Sequence, residues 1–136
     1  MNIINNIFLK YCSNLLKEID TSRTSPMKYQ MEWFRHLISS GTGTAFGKEH
    51  GFDNIKTIKD FQQRVPVRDY NHTAPYINRM LNGEDYILWN KKVRMFAKSS
   101  GTSSDKSKYI PVPQECLQIN HYGGFKRMLA SYIHNN

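Results

Sequence analysis

Apolar and polar positions alternate at helical spacing from the start of the chain. Ile3, Ile4, Ile7, Phe8, Tyr11, Leu15, Leu16 and Ile19 share one face, which predicts an amphipathic helix over the first twenty residues that packs against the rest of a protein. Glu18 and Asp20, with few basic residues around them, speak against a membrane-surface helix. Ser25-Pro26 reads as a helix start, serine capping and proline pre-set for the first turn. Met27, Met31, Phe34, Leu37 and Ile38 then line one side until Gly41 stops the helix. A shorter helix is expected from Thr57 to before Pro66, with Ile58 and Phe61 inward. Another is expected from His72 to Leu81, ending at Asn82-Gly83.

The pattern changes after Trp89. Val93, Met95 and Ala97 alternate with Arg94, Phe96 and Lys98, the two-residue period of a strand. The polar stretch from Ser99 to Ser107 follows, and Tyr109-Ile110-Pro111-Val112 reads as a short returning strand, its proline confined to an edge. Pro113 opens a last helix through Leu117, Ile119, Met128, Leu129 and Tyr132, weakened in the middle by Gly123-Gly124. The reading is a helical region over 1–90, a hairpin over 91–112 and a helix over 113–136.

Length and composition fit one ordinary domain with a real core: 136 residues, 39% hydrophobic and 22% charged. The net charge of +8 is uneven. Between Lys91 and Lys108 six basic residues face the single acid Asp105, so five of the eight net charges sit in 18 residues. Such local basicity suits a small phosphate-bearing ligand better than a long polyanion, whose many phosphates call for a spread of cations. Two cysteines, Cys12 and Cys116, do not make a disulfide framework. No signal peptide and no apolar run of about 20 residues is seen, so no membrane span is expected. The cytoplasm is the default compartment.

The five histidines, His36, His50, His72, His121 and His134, show no metal-binding spacing with each other or with the cysteines. Gly41-Thr-Gly43-Thr-Ala-Phe-Gly47 resembles a dinucleotide-binding glycine loop. It carries three residues between the last glycines, however, and follows a helix where that fingerprint requires a strand, so it reads as a helix-ending turn. The segment from Ser99 to Lys108 has a different character. Its hydroxyls, the small Gly101 and the cations Lys106 and Lys108 supply donors, close backbone approach and charge, which is what a triphosphate needs. It does not fit the Walker spacing. Composition alone also allows a flexible serine-rich turn.

The order of residues adds to this. Phe-Ala-Lys-Ser-Ser-Gly-Thr-Ser-Ser-Asp-Lys-Ser-Lys-Tyr-Ile-Pro-Val, Phe96 to Val112, resembles the phosphate loop of the adenylate-forming superfamily. More closely it resembles that of the Gretchen Hagen auxin-responsive family of acyl acid amido synthetases, in its bacterial branch. Thr44-Ala-Phe-Gly47, His50-Gly-Phe52, Phe61 to Val67, Tyr70, Pro75-Tyr76-Ile77 and His121-Tyr122-Gly123-Gly124 follow that family's order. The resemblance implies an α/β fold, mainly helical in this N-terminal portion, with a β-hairpin carrying the phosphate loop, as part of the large domain of an adenylate-forming enzyme. It implies an ATP-dependent ligase that joins a carboxylic acid to an amino acid, with ATP and magnesium in the full-length enzyme. Ser99, Ser100, Gly101, Thr102 and Ser103 would hold the phosphates and Lys108 would be the motif's closing lysine. Ser104 and Lys106 stand beside them as further candidates, although many relatives have glycine where this chain has Ser104 and Asp105. No catalytic residue is assigned. Family members have several hundred residues, so the chain is expected to be an N-terminal piece that is inactive alone, without the adenine, ribose and metal motifs. The alternative from another class is a small basic module for nucleic acid or another anionic partner.

Overall fold

The helical periodicity of the first forty residues becomes two helices in the computed structural model, which describes residues 3–100 and 107–135. Helix α1 spans Ile3–Thr24 and α2 spans Pro26–Gly41. Between them Ser25 works through its backbone. Its amide donates to the Thr21 carbonyl (3.0 Å) and its carbonyl accepts from the Tyr29 amide (3.2 Å), so one ladder closes where the next opens. Two compact units are present, one from residues up to 32 together with 115 onward, the other from residues 33–114.

In the first unit α1 packs against α7 (Gly123–Asn135). Cys12 and Ala130 are the buried residues, small enough for the helices to approach closely, and Arg127 pairs with Glu18 at 2.9 Å. The expected stripe on α1 is only partly used. Leu15 and Leu16 are half-buried, whereas Ile3, Ile4 and Ile7 stay at least 65% exposed. The last helical segment begins with α6 (Gln114–Cys116), widens to a π-helical stretch over Leu117–Tyr122 and continues as α7. The glycine pair does not break it. The Gly123 amide reaches the Gln118 carbonyl, five residues back, and a Cβ at Gly123 would lie 3.3 Å from that oxygen. A glycine therefore eases the wide turn.

The second unit has two apolar clusters. Ile38, Phe52 and Ile55 form one, with Phe34, Phe46, Phe61 and Val65 against them. Its rings meet edge to face, Phe34 with Phe61 at 6.0 Å and Phe46 with Phe52 at 5.9 Å between centroids. Met80, Ile87 and Val93 form the other, with Ala45, Tyr76, Leu88, Trp89 and Phe96 around them. The short helix α3 (Ala45–Glu49), which the periodicity does not reveal, contributes Phe46 to the first cluster and Ala45 to the second.

Helix α4 covers Ile58–Arg64 as expected, its start fixed by a reciprocal capping box between Thr57 and Asp60, but only Phe61 turns inward and Ile58, in the first turn, stays exposed. Helix α5 covers Tyr70–Leu81, starting two residues before the expected His72 because Asp69 is its cap and accepts the His72 amide. The expected hairpin is present. Strand β1 (Met95–Lys98) and β2 (Tyr109–Val112) pair antiparallel, with Met95 opposite Val112, Phe96 opposite Pro111, Ala97 opposite Ile110 and Lys98 opposite Tyr109. Phe96 is the half-buried residue of β1, turned toward the second cluster, while Val93 is buried just ahead of the strand. The fold is mainly helical with this one small antiparallel sheet among the described residues.

Candidate functional site

Hydrogen bonding at the end of the hairpin follows from its register. The Ser99 amide donates to the Lys108 carbonyl at 2.9 Å, so Ser99 and Lys108 are a bonded pair just beyond the strands. In an antiparallel ladder bonded and non-bonded pairs alternate, which makes Lys98–Tyr109 and Phe96–Pro111 non-bonded pairs. Pro111 thus loses no ladder bond, and the backbone groups of Tyr109 face outward. The outward groups are taken by one side chain. The Tyr70 hydroxyl, on the first residue of α5, accepts from the Tyr109 amide (3.0 Å) and donates to the Tyr109 carbonyl (3.3 Å). The Lys108 amide also donates to Ser99 Oγ at 3.2 Å, so the serine hydroxyl ties the base of the loop together.

Both ends of the loop carry a cation resting near an aromatic ring. Lys108 Nζ lies 5.7 Å from the centre of the Tyr70 ring, and Lys98 Nζ lies 5.9 Å from that of Tyr109. Of the residues expected to hold phosphates, the structure brings Ser99 and Lys108 face to face, both half-buried, and leaves Ser100 exposed beside them. Gly101, Thr102, Ser103, Ser104 and Lys106 lie outside the described residues. The basic cluster is partly engaged: Lys92 pairs with Asp85 at 3.6 Å.

The glycine-rich segment from Gly41 to Gly47 is architectural. Thr44 caps α3 with a side chain that is almost fully enclosed, 1% exposed. Its Oγ1 donates to the Gly41 carbonyl at 2.7 Å and accepts the Gly47 amide at 2.9 Å. A Cβ at Gly47 would fall 2.0 Å from the Gly41 oxygen, so the close turn excludes any side chain there. The first amides of α3 are satisfied from elsewhere, Ala45 by the Tyr86 carbonyl (2.8 Å) and Phe46 by the Ile87 carbonyl (3.1 Å). Tyr86 adopts a left-handed φ of 59° where it meets them. No amide of this helix start is left for an anion.

Two of the histidines likewise have local roles. His50 is buried, stacks on Phe46 at 4.1 Å between centroids and places Nδ1 2.9 Å from the Phe46 carbonyl. His72 Nδ1 lies 2.6 Å from Asp69 Oδ1, and this contact, with the His72 amide, holds the Asp69 carboxyl below its usual range. Burial, followed by its hydrogen bond to Glu49, raises the Tyr76 hydroxyl above its usual range. A groove of about 390 Å³ opens over the first cluster, lined by Phe34, Ile38, Phe52 and Ile55 with Arg35 and Lys56 at its edge; it includes no hairpin residue.

The two strands that bring Ser99 and Lys108 together were legible from alternation, whereas the contact made by Tyr70 was not. Tyr70 stands in the sequence only as one residue of the family's order, which names no contact for it, and the cap at Asp69 places it at the start of α5. No helix among the described residues is long and apolar enough to cross a membrane.

Comparison with known proteins agrees with the family resemblance. The family model described as the GH3 family N-terminal domain matches residues 15–136. The chain is 30% identical over 103 residues to an indole-3-acetic acid-amido synthetase of Arabidopsis thaliana, covering 75% of this chain and 19% of that protein. It is 26% identical over 105 residues to a jasmonoyl–L-amino acid synthetase of Nicotiana attenuata, covering 76% and 18%. An indole-3-acetic acid-amido synthetase of Oryza sativa subsp. indica is 32% identical over 97 residues, covering 71% and 16%. The chain thus spans about a fifth of the length of the curated relatives it matches; the three named here are acid–amino acid ligases by name, and nothing in these likenesses supports a nucleic-acid module. By the match over most of its length, the chain belongs to the GH3 family, within that family's N-terminal domain.

Proposed function

We propose that the hairpin is one wall of the ATP site of an acid–amino acid ligase, with the segment from Ser99 to Lys108 as its phosphate loop. The observation that carries this reading is the doubly bonded Ser99–Lys108 pair, flanked by Lys98 and Lys108. A fixed base with cations at both ends suits an anion lying across the loop, because charge-assisted bonds to phosphate oxygens are stronger than neutral ones. Ser99, Ser100, Gly101, Thr102 and Ser103 donate to the phosphates, with Ser104 and Lys106 beside them, and Lys108 adds charge. The adenylate-forming motif over Phe96 to Val112 supports the chemistry. A substrate carboxylate attacks the α-phosphorus of ATP, pyrophosphate leaves with its charge stabilised by the loop, and the amine of an amino acid then displaces AMP from the acyl-adenylate.

Magnesium, which such chemistry uses, is a hard cation often carried by the phosphates themselves. The described hairpin residues, 95–100 and 107–112, offer hydroxyls and ammonium groups but no carboxylate, so they suit the triphosphate and not the metal. The His121-Tyr122-Gly123-Gly124 order supports placement in the bacterial branch. Since the chain spans about a fifth of its relatives, it is proposed to need further sequence for the adenine, ribose, acid and amine sites and to have no turnover alone. The test is exchange of labelled pyrophosphate into ATP by the full-length protein carrying this chain. Exchange dependent on a carboxylic acid is the expected result. Absence of exchange across a panel of acids would refute the ligase reading.

A further inference from the structure

A two-stranded hairpin is marginal in water, and this one must present Ser99 and Lys108 in a fixed relation if it is to hold an anion. The side chain that supplies the constraint comes from another element. Tyr70 stands at the start of α5, itself fixed by the Asp69 cap. Its hydroxyl satisfies both outward backbone groups of Tyr109, much as one residue of a third strand would. Its ring lies under the Lys108 ammonium. One side chain therefore holds the residue next to Lys108 by the backbone and Lys108 itself by its charge.

We propose that Tyr70 is a positioning residue for the Ser99–Lys108 pair: it locks the edge of β2 at Tyr109 and so sets the two residues that a triphosphate would meet. This rests on the phosphate-loop reading. A slip of β2 by one residue would put the side chain of Lys108 on the opposite face of the hairpin, and the two Tyr109 bonds oppose that slip. Tyr70 touches no phosphate in this scheme and acts through Lys108.

Amide exchange and resonance shifts in the labelled 136-residue chain test it, with tripolyphosphate as the probe. In the unmodified chain the Tyr109 amide, although on the outer edge of a two-stranded sheet, is expected to be protected. If it exchanges at the rate of an unstructured peptide, the proposal fails, whatever any variant does. Tyr70→Phe keeps the ring and removes the hydroxyl. Protection of the Ser99 and Lys108 amides is expected to fall at least roughly fivefold, the effect of one hydrogen bond where two are lost, and tripolyphosphate affinity by a similar factor, with an unchanged helical signal. Tyr70→Leu, which also removes the ring, is expected to weaken the affinity further. Unchanged protection and affinity in Tyr70→Phe would overturn the proposal. Lost protection in the variant, with no tripolyphosphate response in the unmodified chain, would support the anchoring role and refute the phosphate reading instead.

Discussion

Replacing Thr44 by valine keeps the shape of the side chain and removes its hydroxyl. In the folded protein that hydroxyl accepts the buried Gly47 amide at 2.9 Å, while the Gly41 carbonyl it donates to keeps a second donor, the Thr44 amide at 2.9 Å. The loss is thus one helix cap whose donor has no route to water. Caps contribute about 1 kcal/mol in general, and about 2 kcal/mol when the orphaned group is buried. Serine at the same position keeps both bonds and loses one methyl group, costing at most about 1 kcal/mol. The assay is urea unfolding followed by tryptophan fluorescence, which reports on the right part of the molecule: Trp33 and Trp89, the two tryptophans, both belong to the second unit. With a slope of about 1 kcal/mol/M for a unit this size, Thr44→Val should lower the midpoint by about 2 M and Thr44→Ser by about 1 M or less. A valine variant within roughly 0.5 M of the unmodified chain would refute the view that this glycine-rich segment is held together by the Thr44 cap.

Other expectations follow from the same structure. Gly47→Ala forces a methyl group to within 2.0 Å of a backbone oxygen, and should cost about 3 kcal/mol by the same assay, since neither backbone segment is a flexible side chain that can move aside. Ile87→Ala empties a site only 2% exposed at the centre of the second cluster and should cost about 3 kcal/mol. Asp60 and Asp69 are both held below their ordinary pKa of 3.8, Asp60 chiefly by the Lys56 amide and Asp69 chiefly by the His72 ring. A carboxyl depressed in the folded state adds stability that is fully present above its unfolded pKa and lost as pH falls through the folded value. Acid titration of the urea midpoint should therefore show a decline beginning near the ordinary carboxyl range, and Asp60→Asn with Asp69→Asn should flatten it.

Helices with a strong period and a chemical stop were readable from the sequence. The start at Thr57, the Gly41 end and the Asn82-Gly83 end all appear where local chemistry put them, because caps and glycines act within one turn. Helix α3 was not readable. Five residues carry too little period, and its start is fixed by carbonyls of Tyr86 and Ile87, some forty residues away. The start of α5 was displaced because Asp69 captures the His72 amide, a cap that an apolar count overlooks. At the candidate site the two strands were legible from alternation, and with them the closeness of Ser99 and Lys108. Tyr70 matched the family's order but its role was not legible, since that role depends on which backbone groups of β2 face outward, and only the strand register decides that. The exposed apolar positions of α1 show the opposite limit: periodicity marks a face but does not say what covers it.

The central question is whether this hairpin meets phosphate. Titration of the labelled 136-residue chain with ATP, AMP and adenosine, read at the amides of Ser99, Ser100 and Lys108, tests that most directly. The predicted result is a weak ATP response, with a Kd of about 1 mM (roughly −4 kcal/mol). It should be centred on those amides, smaller with AMP, absent with adenosine, and abolished in a Ser99→Ala, Lys108→Ala double variant. No response of those amides at roughly 20 mM ATP, well above the predicted Kd, or an equal response to adenosine, would contradict the claim that Ser99 to Lys108 is a phosphate loop.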